Sequence, residues 1–179
     1  MRRVPCSMQS AGRRKWLEPL RALWLLPFLA GGISAASPVP GQPAPDFVLR
    51  ALDAGNVRIS EFRGDVVVVN FWAAWCGPCQ QELPRLDQIY RRYQQAGLVV
   101  LAVNLDDDVE RAQDISRRLS LSFPMLFDPA KDTGRLYQVD SMPMTLLIDR
   151  EGVVRHVYGS YRADDETLYL KQIRELIDE

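Results

Sequence analysis

Between Asp65 and Trp75 the chain reads DVVVVNFWAAW, an almost unbroken β-branched and aromatic run. A strand covered on both faces of a sheet has this composition, and the pattern predicts one from Val66 to Trp72. The period then changes. Leu83, Leu86, Ile89, Tyr90 and Tyr93 recur at steps of three and four, which makes one apolar stripe along a helix from Cys76 to Ala96, with Gly97 as its carboxyl-terminal cap. Upstream, the pattern predicts a hairpin from Phe47 to Ile59. Downstream it predicts a strand Leu98 to Asn104, a helix Val109 to Leu119 capped near Asp107 or Asp108, and a short strand around Met125 to Phe127. An antiparallel pair, Thr145 to Asp149 and Val153 to Tyr158, and a last helix Asp164 to Ile177 complete the set. Strands alternating with helices indicate an α/β domain, a central sheet flanked by helices. No internal repeat or low-complexity tract interrupts it.

A different pattern precedes the domain. Arg13, Arg14 and Lys15 stand before the apolar stretch ALWLLPFLAGGISAA, Ala22 to Ala36. Its length fits the apolar core of a signal peptide better than the ~20 residues of a membrane span. Ser34 and Ala36 are the small residues a signal peptidase requires, so residues 1–36 read as a cleaved signal or, if retained, as a membrane anchor. The GRRKWL stretch, Gly12 to Leu17, also resembles a twin-arginine export signal. Cys6 precedes the apolar core and is no lipid-acceptor cysteine. SPVPGQPAP then reads as an extended linker over residues 37–45, because repeated proline forbids a helix. Residues 46–179 form the folded domain, and its workplace is the periplasm or the outer face of a membrane.

Charge narrows the partners. The whole chain of 179 residues carries 22 basic and 23 acidic side chains. The first 36 residues hold six of the basic ones and one acidic one, which leaves 16 against 22, a formal net charge of −6. Nucleic acid is excluded as a partner, since phosphate binding needs a positive surface.

Beyond residue 36 the only cysteines are Cys76 and Cys79, in WCGPC. A bridge between them closes too short a loop to constrain the unfolded chain, so stapling is a weak reading. Zinc needs about four ligands, and the lone His156 lies in an alternating strand pattern far along the chain. No metal site is expected. Redox chemistry fits the setting: Cys76 lies at the junction of strand and helix, where unpaired N–H groups and the helix dipole favour a thiolate. Cys76, exposed at the helix start, is then the nucleophile that attacks a partner's disulfide. Cys79, one turn inside, resolves the mixed disulfide. Gly77 and Pro78 form the intervening dipeptide, and Pro78 suits a first helical turn because its missing N–H is not needed there.

WCGPC after an apolar strand, Pro84 beyond it, and Met142-Pro143 before TLLID together resemble the thioredoxin superfamily. GQPAPDFVL (Gly41 to Leu49), ISEFRGDVVVVNFWAAWCGPC (Ile59 to Cys79), LAVNLDDD (Leu101 to Asp108) and LLIDREGVV (Leu146 to Val154) narrow the resemblance to TlpA/ResA-like exported reductases. It covers residues 41 to 177. It implies a thioredoxin fold whose mixed sheet carries an amino-terminal β-hairpin extension and a central βα insertion. It also implies disulfide-bearing exported clients, apocytochrome c among them, a membrane thiol electron donor, and no cofactor beyond the Cys76-Cys79 disulfide.

The resemblance assigns further roles. Pro143 corresponds to a cis-proline facing the cysteine pair, with the Met142 backbone free to pair with a client segment as an added strand. Trp75 belongs to the client-contacting rim and Trp72 to the core. Cytosolic thioredoxins hold a buried aspartate where this chain has Asn70, which cannot accept a proton. Glu82, one turn beyond Cys79, matches the acidic position of the branch and is the candidate acceptor for the Cys79 proton. The DDD run at Asp106 to Asp108 reads as a helix start.

Two other classes remain open. APDF and FRGDVVVV also occur in peroxiredoxin-type thiol peroxidases, but their P-x-x-x-T-x-x-C stretch is absent. Counting back from Cys79 meets Cys76 and Trp72, and from Cys76 meets Ala73 and Val69. A copper carrier or chaperone module with an idle cysteine pair is the second alternative. The sequence favours a thiol:disulfide oxidoreductase, acting as a reductant.

Overall fold

The computed structural model describes residues 38–52, 55–162 and 164–179. The signal or anchor expected over residues 1–36 lies outside them. In chain order the elements are β1 (Val48–Ala51), β2 (Asn56–Arg58), β3 (Val66–Trp72), α1 (Gly77–Tyr93), β4 (Leu98–Asn104), α2 (Val109–Leu119) and β5 (Met125–Phe127). Then follow α3 (Asp132–Leu136), β6 (Met144–Ile148), β7 (Val154–Tyr158) and α4 (Asp165–Asp178). Short 3-10 turns at Ile59–Phe62 and Gln94–Ala96 complete the description.

One mixed sheet runs β2-β1-β5-β4-β3-β6-β7. β3 pairs in parallel with β4 and antiparallel with β6, which explains why all its residues are buried and why its sequence shows no polar alternation. Side chains along β3 alternate between two cores. Val66, Val68 and Trp72 pack with Leu83, Leu86 and Ile89 of α1 and Tyr169, Ile173 and Leu176 of α4. Val67, Val69 and Phe71 pack on the opposite face with Phe47, Leu146 and Tyr137. Each buried leucine or isoleucine of the α1 stripe is worth roughly 1.5–3 kcal/mol. By the same alternation Asn70 of β3 and Thr145 of β6 face the α1 side, directly opposite one another across the β3–β6 ladder.

The hairpin, the insertion of α2 and β5, and the long strands follow the sequence pattern within a residue or two. The predicted helix over Cys76 to Ala96 ends its α-helical part at Tyr93; a 3-10 turn carries the chain to Gly97, whose φ of 90° is the left-handed cap that glycine permits. α3 was not predicted. Its Asp132 and Gly134 N–H groups donate to the Asp128 carboxyl at 3.0 and 2.9 Å, so a buried aspartate before the helix organises its first turn.

The described part of the segment read as an extended linker turns at Pro40 and Gly41 and is docked on the domain. Gly41 N–H donates to the Val154 carbonyl at 2.7 Å, Val154 N–H to Gln42 at 2.9 Å, and Ala44 N–H to Gly152 at 2.9 Å. Tyr137 Oη donates to the Pro45 carbonyl at 2.6 Å. Among the described residues no helix is long and apolar enough to cross a membrane.

Candidate active site

At the carboxyl end of β3 the chain turns through Ala73 and Ala74 and enters α1, with Cys76 as the helix N-cap. Cys76 has extended backbone angles and its Sγ accepts the Cys79 N–H at 3.2 Å, the place a capping serine oxygen takes in other helices. Cys76 and Cys79 are joined in a disulfide. Pro78 lies in the first turn, where no intrahelical N–H is lost. An added Cβ at Gly77 would meet nothing within 4 Å, so packing inside the domain does not require glycine there.

Cys76 corrects the expectation of an exposed nucleophile. It is only 4% exposed and Cys79 is fully buried, while the neighbouring Trp75 is 65% exposed. The indole, not the sulfur, is what projects. Trp75 and half-buried Met142 line a groove of about 590 Å³ together with Leu105, Gly134 and Val139. The Met142-Pro143 peptide bond is cis. Trp72 is fully buried, as a core residue, and its Nε1 has no hydrogen-bond partner among the described residues.

Two side chains hold the Ala74 peptide just before the pair. Asp106 Oδ2 accepts the Ala74 N–H at 2.6 Å and Asn104 Nδ2 at 2.7 Å. Gln80 Nε2 donates to the Ala74 carbonyl at 2.8 Å, and its Oε1 accepts from Arg118 of α2 at 3.1 Å. Asp106 therefore does not start a helix as read from the DDD run; it is a buried clamp on the active-site turn. Asp108 is the N-cap of α2, accepting the Arg111 N–H. The apolar surroundings of Asp106, LAVNLD, were the available signal for its burial.

Glu82 is fully buried beneath the pair. Its Oε1 accepts from Thr145 Oγ1 at 2.8 Å and from Tyr169 Oη at 2.9 Å, and its Oε2 accepts from Asn70 Nδ2 at 2.9 Å. Burial pushes its carboxyl up to about 7, against these three donors, with a smaller upward push from Asp165. A carboxyl group that gains and loses a proton near neutrality thus lies one helical turn beyond Cys79. Thr145 and Tyr169, two of its three partners, were not found by sequence reasoning. A threonine inside the apolar run MTLLI was the one visible hint.

Among the described residues no three His, Cys, Asp or Glu side chains converge as metal ligands. His156 lies on edge strand β7, its ring stacked against Tyr158.

Comparison with known proteins agrees with this geometry. The AhpC/TSA family matches residues 40–157. Thiol-disulfide oxidoreductase ResA of Geobacillus thermodenitrificans is 35% identical over 135 residues, 75% of this chain and 78% of its own. ResA of Bacillus thuringiensis is 30% identical over 134 residues, 74% and 78% of the two chains. A crystal structure assigned as a thiol:disulfide interchange protein DsbE from Chlorobium tepidum superposes with a TM-score of 0.76 at 38% identity, over 79% of this chain and 99% of that one.

Proposed function

The chain belongs to the AhpC/TSA family and to the TlpA/ResA-like thiol-disulfide oxidoreductases of the thioredoxin superfamily, and we propose that it reduces disulfides of exported clients outside the cytoplasm, apocytochrome c among them. A membrane thiol donor returns the electrons. The observation that carries the reading is the juxtaposition of the Cys76-Cys79 pair with the buried Glu82 carboxyl on the first two turns of α1.

In the reduced protein the Cys76 thiolate, favoured by the helix start, attacks one sulfur of the client disulfide. The client's other sulfur leaves as a thiolate and takes up a proton. Cys79 gives its proton to the Glu82 carboxylate and attacks Cys76 Sγ; the client's second sulfur departs as a thiolate and takes up a proton, and the Cys76-Cys79 disulfide forms. Two electrons have passed to the client. Trp75, Met142 and Pro143 form the wall against which the client segment lies, its backbone pairing at Met142. Low exposure of Cys76 restricts attack to segments that come close against the Trp75 rim.

The apolar stretch Ala22 to Ala36 supports export, by cleavage or by retention as a tether. Peroxide reduction is less well supported, because neither cysteine has the threonine three residues before it that the peroxidase stretch requires.

Equilibration with glutathione or dithiothreitol buffers tests the direction of electron flow. A reductant of this type has a potential below about −200 mV, whereas a value near −120 mV, that of a strong oxidant, sinks the reductant assignment and leaves the fold intact.

A further inference from the structure

Asn70 touches the Glu82 carboxyl yet leaves one of its own polar atoms without use. The side chain is fully buried. Nδ2 donates both to Glu82 Oε2 at 2.9 Å and to Thr145 Oγ1 at 2.8 Å, whereas Oδ1 has no partner among the described residues. A buried unpaired carbonyl is a real cost, about 1–3 kcal/mol, and a folded chain seldom retains one at a working site without use.

All the donors are turned toward the ionised carboxylate. Asn70 Nδ2 serves Oε2, while the Thr145 and Tyr169 hydroxyls serve Oε1. That set is wrong for the acid. A proton on Oε2 would meet the Asn70 N–H head on, donor against donor, and would lack an acceptor. A proton on Oε1 would displace two hydroxyl protons, and the Thr145–Tyr169 contact could take up only one of them. A half-turn of the Asn70 amide removes the conflict at Oε2: Oδ1 comes to face Oε2–H and accepts it.

We propose that the Asn70 side-chain amide reverses each time Glu82 changes protonation state, presenting Nδ2 to the carboxylate and Oδ1 to the carboxylic acid. Asn70 is thereby a positioning residue of the reaction. The inference rests on the reading of Glu82 as acceptor of the Cys79 proton. Atoms balance simply, since the proton leaving the Cys79 thiol ends on Glu82 and the amide only rotates, with no gain or loss of its own. An aspartate at this position would instead hold a second carboxyl against the first, and the pair would share one proton. The amide is neutral in both orientations and adapts to either state of Glu82.

The ionisable groups facing Glu82 are few. The cysteine pair precedes it on α1, Tyr169 and Asp165 approach from α4, and Tyr161 lies just before that helix. β3 and β6 face it with the uncharged Asn70 and Thr145. Tyr169 and Tyr161 are both held above the ordinary phenol range and stay neutral. A change near neutrality in the oxidised protein is therefore assigned to Glu82.

NMR of the oxidised protein, with carboxyl-labelled glutamate and nitrogen-labelled asparagine, tests the proposal across a pH range bracketing about 7. Glu82→Gln identifies the Glu82 signal. The expected result is that cross-peaks between the Asn70 amide protons and the Thr145 methyl group, present above the Glu82 midpoint, are lost below it with the same midpoint. In Glu82→Gln those cross-peaks no longer depend on pH. If the Glu82 carboxyl signal titrates while the cross-peaks persist, the reversal is overturned and the role of Glu82 stands. A Glu82 signal that does not move overturns both. Cross-peaks that still change with pH in Glu82→Gln overturn the link between amide and carboxyl.

Discussion

Tyr169 Oη donates to Glu82 Oε1 at 2.9 Å across 87 residues of sequence, which ties the last helix to the first turns of α1. Under the proposed mechanism the contact joins catalysis to stability. Glu82 binds its proton more tightly folded than unfolded, with its midpoint raised from 4.5 to about 7 by burial. A raised midpoint contributes stability that is fully present below the unfolded value and lost as pH rises through the folded one. The oxidised protein should lose about 3 kcal/mol from this group between pH 4.5 and 7. Denaturant titrations at several pH values check it: Glu82→Gln should flatten the slope over that window, and an unchanged slope would contradict the assignment.

Replacement of Glu82 by glutamine also separates the two chemical steps. In the proposed mechanism attack by Cys76 does not use the carboxylate, while activation of Cys79 does. Glu82→Gln should slow resolution of a preformed mixed disulfide by on the order of 10²-fold at neutral pH and leave the first attack within a few-fold. Stopped-flow measurement of both steps with a model disulfide peptide reads the difference. Equal slowing of both would return Glu82 to a purely structural role.

The cysteines themselves are distinguished by what they trap. Cys79→Ser leaves the client joined through Cys76, so adducts that dithiothreitol dissolves should accumulate in the compartment where the protein works. Cys76→Ser should capture little, because Cys79 is fully buried. Mass spectrometry of the adducts would name the client. Equal trapping by the two variants would falsify the division of labour.

Asp106 offers a test of the turn that presents the pair. Asp106→Ala strands the Ala74 N–H, which the carboxyl now accepts at 2.6 Å, and should cost about 1–3 kcal/mol of stability. Asp106→Asn retains an acceptor oxygen and should cost less. Chemical denaturation ranks the two, and the turnover of each variant shows how far the position of Trp75 and Cys76 depends on the clamp.

The long elements were legible because each has one repeating environment. β3 is covered on both faces, and α1 buries a single stripe, so composition and period report them directly. The pair, the dipeptide and Glu82 were legible as a local motif on one helix. Their supports were not. Thr145 and Tyr169 reach Glu82 from β6 and α4, and no local pattern marks a hydroxyl whose partner lies 63 or 87 residues away. α3 spans five residues, too short for a period to emerge, and is organised by Asp128 outside it. Asp106 was read with its acidic neighbours, although its carboxyl answers to the Ala74 peptide across the structure. Cys76 was expected to be exposed because helix starts usually are, and here the Trp75 indole takes that position.

The docked segment before β1 gives the domain a polarity. Gly41 and Gln42 pair with Val154 at the start of β7, and Val154 faces Ile148, whose partner in β3 is Val67. Cys76 follows the other end of β3, beyond Trp72. At about 3.3 Å per residue, the five steps from Val67 to Trp72 alone set these places on the order of 17 Å apart along the strand. The docked segment thus lies at one pole of the domain while the disulfide opens at the other. The body of the sheet lies between the docked segment and the reacting sulfurs.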